Sequence, residues 1–186
     1  MIKKGIGGGN TITGLNFEKE KDFLVILEST KNYTIKRLEK EKLAIIFYEG
    51  MEVARSYRKH GLYFFLKTKG INYEDYISKK LLPDEALYVI INNTLFIIEM
   101  KFQIVAGSVD EKLQTCDFKK KQYKKLLAPL NIDIEYIYIL DDWFRKPEYK
   151  DVLDYIISVD CSYYFQYLPL NKLGLPVPEK TEDTIE

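Results

Sequence analysis

Pro83-Asp84-Glu85-Ala86-Leu87-Tyr88-Val89-Ile90-Ile91-Asn92-Asn93-Thr94-Leu95-Phe96-Ile97-Ile98-Glu99-Met100-Lys101-Phe102 is the stretch on which the fold of this chain turns. Two β-leaning runs, residues 86–91 and 95–102, flank Asn92-Asn93, a dipeptide that tolerates the left-handed backbone of a tight hairpin turn. Side chains alternate along a strand, so Phe96, Ile98, Met100 and Phe102 form a wholly apolar stripe, while Glu99 and Lys101 face the other way. A two-residue loop at Asn92-Asn93 pairs Ile91 with Thr94, which opposes Ala86 to Glu99 and Asp84 to Lys101. Asp84, Glu99 and Lys101 then converge at the open end of the hairpin, with Asp84 diagonal to Glu99 at about 7 Å between backbones. A three-residue turn would shift the pairing by one and bring Glu85 onto that face in place of Asp84.

Charge on one side of a half-buried strand also serves solubility, so Glu99-Met100-Lys101 alone carries little information. The pairing adds the chemistry. Two carboxylates so placed can share one hard cation, and Mg²⁺, which takes oxygen ligands and keeps several waters, suits such a pair.

Outward from the hairpin, Phe17, Leu24 and Leu27 repeat at helical spacing behind Asn16, which predicts an Asn16-capped helix running to about Ser29. Residues 33–38 and 43–48 read as a second hairpin around the charged Glu39 to Lys42. Between Met51 and Gly70 the first half has helical composition and the second, Leu62-Tyr63-Phe64-Phe65-Leu66, that of a strand. After Gly107-Ser108, the residues Val109, Leu113, Cys116, Tyr123 and Leu127 keep the spacing of one helical face, with Lys120 on the same stripe. A strand over 132–140, a helix over about 147–159 and a strand over 161–168 complete the order. The predicted class is α/β, or more strictly an α+β mixed sheet flanked by helices. Residues 1–168 are expected to form one domain and 169–186 a docked or frayed C-terminal tail.

The chain has 186 residues, 46% hydrophobic and 14% aromatic, enough for one core. Lys+Arg and Asp+Glu are both 28, so no global field holds it to nucleic acid or a membrane, and an anionic partner must be met by a local patch. One such patch is the helix over 109–127, where Lys112, Lys119, Lys120, Lys121, Lys124 and Lys125 outnumber Asp110, Glu111 and Asp117. Such a face is either simply solvated or a DNA contact. Lys120, on the apolar stripe, must snorkel or serve the cleft. Gln103 and Gln114 are weaker candidates for bonding phosphate or water.

Other classes find little support. Gly5 to Gly14 lacks the Lys-Ser/Thr ending of a phosphate-binding loop and a preceding strand. His60 and Trp143 read as structural, and no histidine cluster or Ser-His-Asp set is spaced for catalysis. Gly-Ile-Gly-Gly-Gly-Asn follows Lys3-Lys4 where a secretory signal needs an apolar stretch, and no apolar run is long enough to span a bilayer. Cys116 and Cys161 lack CxxC spacing and read as small buried residues of a reduced, cytoplasmic protein.

Pro83-Asp84, fourteen residues, then Glu99-Met100-Lys101 resembles the signature of the PD-(D/E)XK restriction-endonuclease family. The resemblance covers about residues 14–142 and implies a restriction-endonuclease-like core. It also implies Mg²⁺ held by Asp84 and Glu99 with the Met100 carbonyl as a third ligand, and Lys101 orienting or activating the attacking water. Members often add a glutamate from the first helix, for which Glu18 is the candidate; a first-turn carboxylate favoured by the helix dipole is the alternative. The Gly7 to Gly14 lead-in and Gly107 to Thr115 look similar to the small subunit of heterodimeric type IIS restriction endonucleases. That likeness implies double-stranded DNA as substrate and a larger partner subunit that recognises the site and nicks one strand. A self-sufficient homodimeric restriction enzyme, and a non-catalytic nucleic-acid-binding or assembly module on the same fold, are the alternatives.

Overall fold

A computed structural model describes residues 13–18, 22–103 and 109–179. The expected glycine-rich lead-in up to residue 12, the helix approach at 107–108 and the acidic end from residue 180 lie outside the described residues.

The architecture is a seven-stranded mixed sheet flanked by helices. In chain order the main elements are β1 (Gly14–Asn16), α1 (Phe23–Glu28), β2 (Tyr33–Leu38), β3 (Leu43–Tyr48), β4 (Met51–Tyr57), α2 (Gly61–Thr68), β5 (Glu85–Val89) and β6 (Thr94–Lys101). They are followed by α3 (Val109–Leu113), α4 (Cys116–Leu127), β7 (Asp133–Leu140), α5 (Lys150–Ser158), β8 (Ser162–Phe165) and β9 (Tyr167–Pro169). The sheet order is β2-β3-β4-β5-β6-β7-β8, antiparallel up to β6 and parallel from β6 through β8, while β1 and β9 form a separate antiparallel pair.

β6 is central and covered on both faces, which is why Leu95 to Ile98 are all buried. On one face Ile97 packs with Leu62 and Leu66 of α2, Cys116, Tyr123 and Leu127 of α4, and Ile156 of α5. On the other, Phe96 and Ile98 pack with Phe23 and Leu27 of α1, with Leu15, and with Leu168 to Leu175. Each such large apolar side chain contributes roughly 1.5–3 kcal/mol on burial.

Three local expectations are corrected. Asn16 does not cap a helix: it ends β1 and its Oδ1 accepts from the Glu18 amide at 2.9 Å. The helix begins at Phe23, capped by Asp22, whose carboxylate accepts from the Leu24 and Val25 amides. Between Met51 and Gly70 the two halves are exchanged. Glu49 (φ 50°) and Gly50 (φ 80°) make a tight turn that folds Met51 back onto Tyr48, so residues 51–57 become a strand. The Leu62 to Leu66 run is helical, burying Leu62, Tyr63 and Leu66 and exposing Phe64; a short apolar run has no period of its own to choose between strand and helix.

Helix 109–127 is divided at Gln114-Thr115, and the strand predicted over 161–168 is split at Gln166, which has φ 54°. Residues 170–176 are docked: Leu170, Leu173 and Leu175 are buried, and the Tyr33 hydroxyl donates to the Pro176 carbonyl at 2.6 Å. Among the described residues no helix is long and apolar enough to cross a membrane.

Candidate active site

β5 and β6 pair as Glu85 with Ile98 through Val89 with Thr94, leaving Ile90 to Asn93 as a four-residue turn. The two-residue loop is corrected because neighbouring strands claim its ends. The Ile90 amide donates to Val53 of β4 at 3.0 Å, and Asn93 accepts from the Asp133 amide of β7 at 3.1 Å. Asn93 still takes the left-handed conformation, with φ 50°. The register is displaced by two residues from the expected one, and a displacement of two preserves the face. Continued by one residue, it sets Asp84 directly opposite Glu99 rather than diagonal to it.

The Lys101 ammonium lies 2.8 Å from Glu99 Oε2 and 3.6 Å from Asp84 Oδ2, so one cation reaches both carboxylates. Asp84 Oδ2 also accepts from the Met100 amide at 3.1 Å, fixing the carboxylate across the hairpin. Glu99 is 7% exposed, whereas Asp84 is half-exposed. Lys119 of α4 brings a second ammonium to Glu99, 3.1 Å from Oε1 and 3.2 Å from Oε2. Burial alone would raise the Glu99 carboxyl, but the Lys101 and Lys119 ammoniums outweigh it and hold the group below its usual range. A carboxylate kept ionised in a mostly buried site is suited to bind a cation.

Glu85 does not belong to this face. It is fully buried on the opposite side, accepting from the Ser56 hydroxyl at 2.5 Å and standing 3.3 Å from Arg58 Nε. That resolves the choice left open by the turn length in favour of Asp84.

The lysines of α4 divide. Lys119 joins the site. Lys120, 3% exposed, turns away from it and meets the Asp160 carboxylate at 2.8 Å, the Asp160 carbonyl and Glu135 at 3.2 Å. Of its two expected roles, snorkelling or serving the cleft, the place in the cleft and the tentative DNA contact are corrected: Asp160 after α5 and Glu135 on β7 supply its counter-charge. Lys121 is exposed and pairs with Asp117 at 2.7 Å, and the exposed Lys112 is joined to the core through its carbonyl, which accepts from the Tyr138 hydroxyl at 3.1 Å. Lys119 lies three residues after the buried Cys116 and four before the buried Tyr123, but Lys120 lies four after and three before the same residues, so helical spacing held no signal that separates the two.

Glu18 lies exposed in a bend after β1, before α1 rather than in its first turn. Among the described residues no hydrogen bond or ion pair joins it to Asp84, Glu99 or Lys101. The Gln103 amide donates to Asp141 Oδ2 at 2.7 Å, which anchors the end of β6 to the end of β7, while Gln114 is exposed. Trp143 is structural as expected, its indole donating to the Tyr149 hydroxyl at 2.7 Å. His60 is exposed and lines a groove with Arg58 and Lys59, two residues the motif gave no reason to select.

Among the described residues no three or more His, Cys, Asp or Glu side chains cluster as a metal cage. A cation at Asp84 and Glu99 must therefore complete its shell with a main-chain oxygen, water and substrate phosphate, a set that fits Mg²⁺ better than zinc or calcium. The Met100 carbonyl, 3.4 Å from the Lys101 ammonium, is the main-chain oxygen at hand. Asp84 opens onto a groove of about 570 Å³ whose other walls are Arg58, Lys59, Met100 and Phe102. Comparison with protein-family models, curated proteins and solved structures finds no match for this chain.

Proposed function

We propose that this chain is a Mg²⁺-dependent DNA endonuclease of the PD-(D/E)XK kind, hydrolysing a phosphodiester bond of double-stranded DNA. In this reading it is the cytoplasmic cleavage subunit of a heterodimeric type IIS restriction enzyme whose larger subunit recognises the site. The observation that carries the reading is the meeting of Asp84, Glu99 and Lys101 at the open end of one hairpin, with a single ammonium in reach of both carboxylates.

Asp84, Glu99 and the Met100 carbonyl would hold the ion, which supplies Lewis-acid charge at the scissile phosphate. Lys101 orients the attacking water and stabilises negative charge developing on the phosphate oxygens. Lys119 keeps Glu99 ionised and adds positive charge behind it. In this reading the groove that Asp84 lines with Arg58, Lys59, Met100 and Phe102 takes the strand next to the scissile phosphate.

The subunit assignment is supported by charge. DNA affinity depends on neutralising phosphates, and a chain with 28 acidic and 28 basic residues has no net positive charge to add to its local patches. Cys116 and Cys161 are both free and buried, which is compatible with a reducing compartment.

The test is plasmid cleavage in Mg²⁺ by the purified chain, alone and with the candidate larger subunit. Cleavage is expected only with Mg²⁺ and the partner, and Asp84→Asn and Glu99→Gln abolish this chain's cut while leaving the partner's nick. Robust site-specific double-strand cleavage by the chain alone defeats the subunit assignment. Full activity in Glu99→Gln defeats the active site itself.

A further inference from the structure

The strand ends Leu38, Leu43, Tyr57, Glu85, Lys101 and Leu140 lie along one edge of the sheet, as their pairings require. Two grooves run along that edge. The one that Asp84 opens onto shares Arg58 and Lys59 with a second, of about 390 Å³, whose lining adds Arg37, Lys42, His60 and Glu39. The two arginines are engaged: Arg58 with Asp22 at 2.9 Å and Glu85 at 3.3 Å, Arg37 with Glu28 at 2.8 Å. Lys42 and Lys59 are exposed and, among the described residues, make no ion pair.

Both lysines sit on fixed backbone. Their φ angles, 51° and 47°, are left-handed, a conformation that glycine or asparagine adopts at less cost. The Lys59 amide donates to the Pro83 carbonyl at 3.3 Å, holding Lys59 beside the Asp84 segment. The Lys42 carbonyl presses on Gly61 so closely that a Cβ there would collide with it, which locks the β2–β3 turn against the β4–α2 turn.

We propose that Lys59 and Lys42 seat the phosphodiester backbone of the DNA strand as it leaves Asp84, so that the second groove is a substrate-binding track; this rests on the nuclease reading above. Lysine suits the task as a flexible point cation that neutralises phosphate without reading a base, so the track sets the position of the strand and not its sequence. Arg58, held from behind by Asp22 and Glu85, forms the wall between the two grooves.

The test is fluorescence anisotropy of a short labelled DNA duplex against the full chain in metal-free buffer, over a salt series starting at low ionic strength. Wild type, Lys59→Ala, Lys59→Arg and Lys42→Ala/Lys59→Ala are compared with Lys31→Ala, which removes the same charge from the exposed turn before β2, at the far end of the sheet. The double variant is expected to lose roughly tenfold in affinity at low salt and about two from the slope of log K against log salt, with Lys59→Arg and Lys31→Ala near wild type. An unchanged slope and affinity in the double variant overturns the proposal. So does wild type that fails to bind at low salt, or polyglutamate that competes as well as DNA.

Failure of the nuclease reading gives a different pattern. Binding that depends on Lys42 and Lys59, with no Mg²⁺-dependent cleavage alone or with a partner, removes the endonuclease and leaves the track. Lys101-dependent cleavage indifferent to both lysines removes the track alone.

Discussion

Replacing Glu85 by glutamine should make this protein more stable at alkaline pH and leave it unchanged in acid. Burial pushes the Glu85 carboxyl up from 4.5 to about 7, against the opposing pull of the Ser56 hydroxyl and the Arg58 guanidinium, with the Asp22 carboxylate adding to the rise. A folded-state value raised above the unfolded one means that Glu85 is protonated more readily in the folded chain. Its favourable contribution is then complete below about pH 4.5 and is lost as pH rises through about 7. The gap between those values corresponds to on the order of 3 kcal/mol. Glu85→Gln retains the shape and the Ser56 hydrogen bond but carries no charge to bury. The two proteins should therefore match near pH 4.5, and the variant should gain by up to about 3 kcal/mol near pH 8. Urea unfolding followed by Trp143 fluorescence at a series of pH values measures the difference directly. A gap constant with pH, or a wild type more stable than the variant at pH 8, would show that Glu85 is not held protonated by its burial.

Three further predictions concern single residues. Lys119→Ala removes an ammonium that competes with metal for both Glu99 oxygens; the account expects a lower Mg²⁺ concentration for half-maximal cleavage and a maximal rate reduced by roughly tenfold to a hundredfold, read from a Mg²⁺ titration. Lys120→Met leaves Asp160 and Glu135 to water, since their side chains are 83% and 46% exposed, so cleavage and DNA affinity should equal wild type and stability should fall by less than about 2 kcal/mol. Gly61→Ala sets a methyl group against the Lys42 carbonyl and should destabilise by roughly 1–3 kcal/mol in thermal unfolding.

The hairpin was legible in the sequence because its two faces differ so sharply: the alternation of Phe96, Ile98 and Met100 with Glu99 and Lys101 has one reading as a strand. Turn length was not legible, because Ile90 and Asn93 bond to β4 and β7 and those bonds follow from tertiary structure, not from Asn-Asn chemistry. The face survived the error since the displacement was even. The mixed sheet and its flanking helices were read correctly as a class, yet residues 51–70 were inverted: the Glu49-Gly50 turn outweighed helical composition in one half, and the apolar run of the other lacked a period. On α4, Lys119 and Lys120 are adjacent in sequence and lie in different surroundings, one against Glu99 and one against Asp160. Only the positions of β6 and α5 relative to the helix separate them. Arg58 and Lys59 reach Asp84 through the pairing of β4 with β5, a contact between residues far apart in the chain.

Whether Asp84, Glu99 and Lys101 form a metal-dependent phosphodiesterase site is decided by single-turnover cleavage of bound DNA in Mg²⁺ by the assembled enzyme carrying either wild-type chain or Lys101→Ala. Lys101→Ala should slow this chain's cut by roughly a hundredfold or more with DNA affinity unchanged, because the cation proposed to orient water and offset charge at the phosphate is gone. Equal cleavage rates for the two proteins would contradict it.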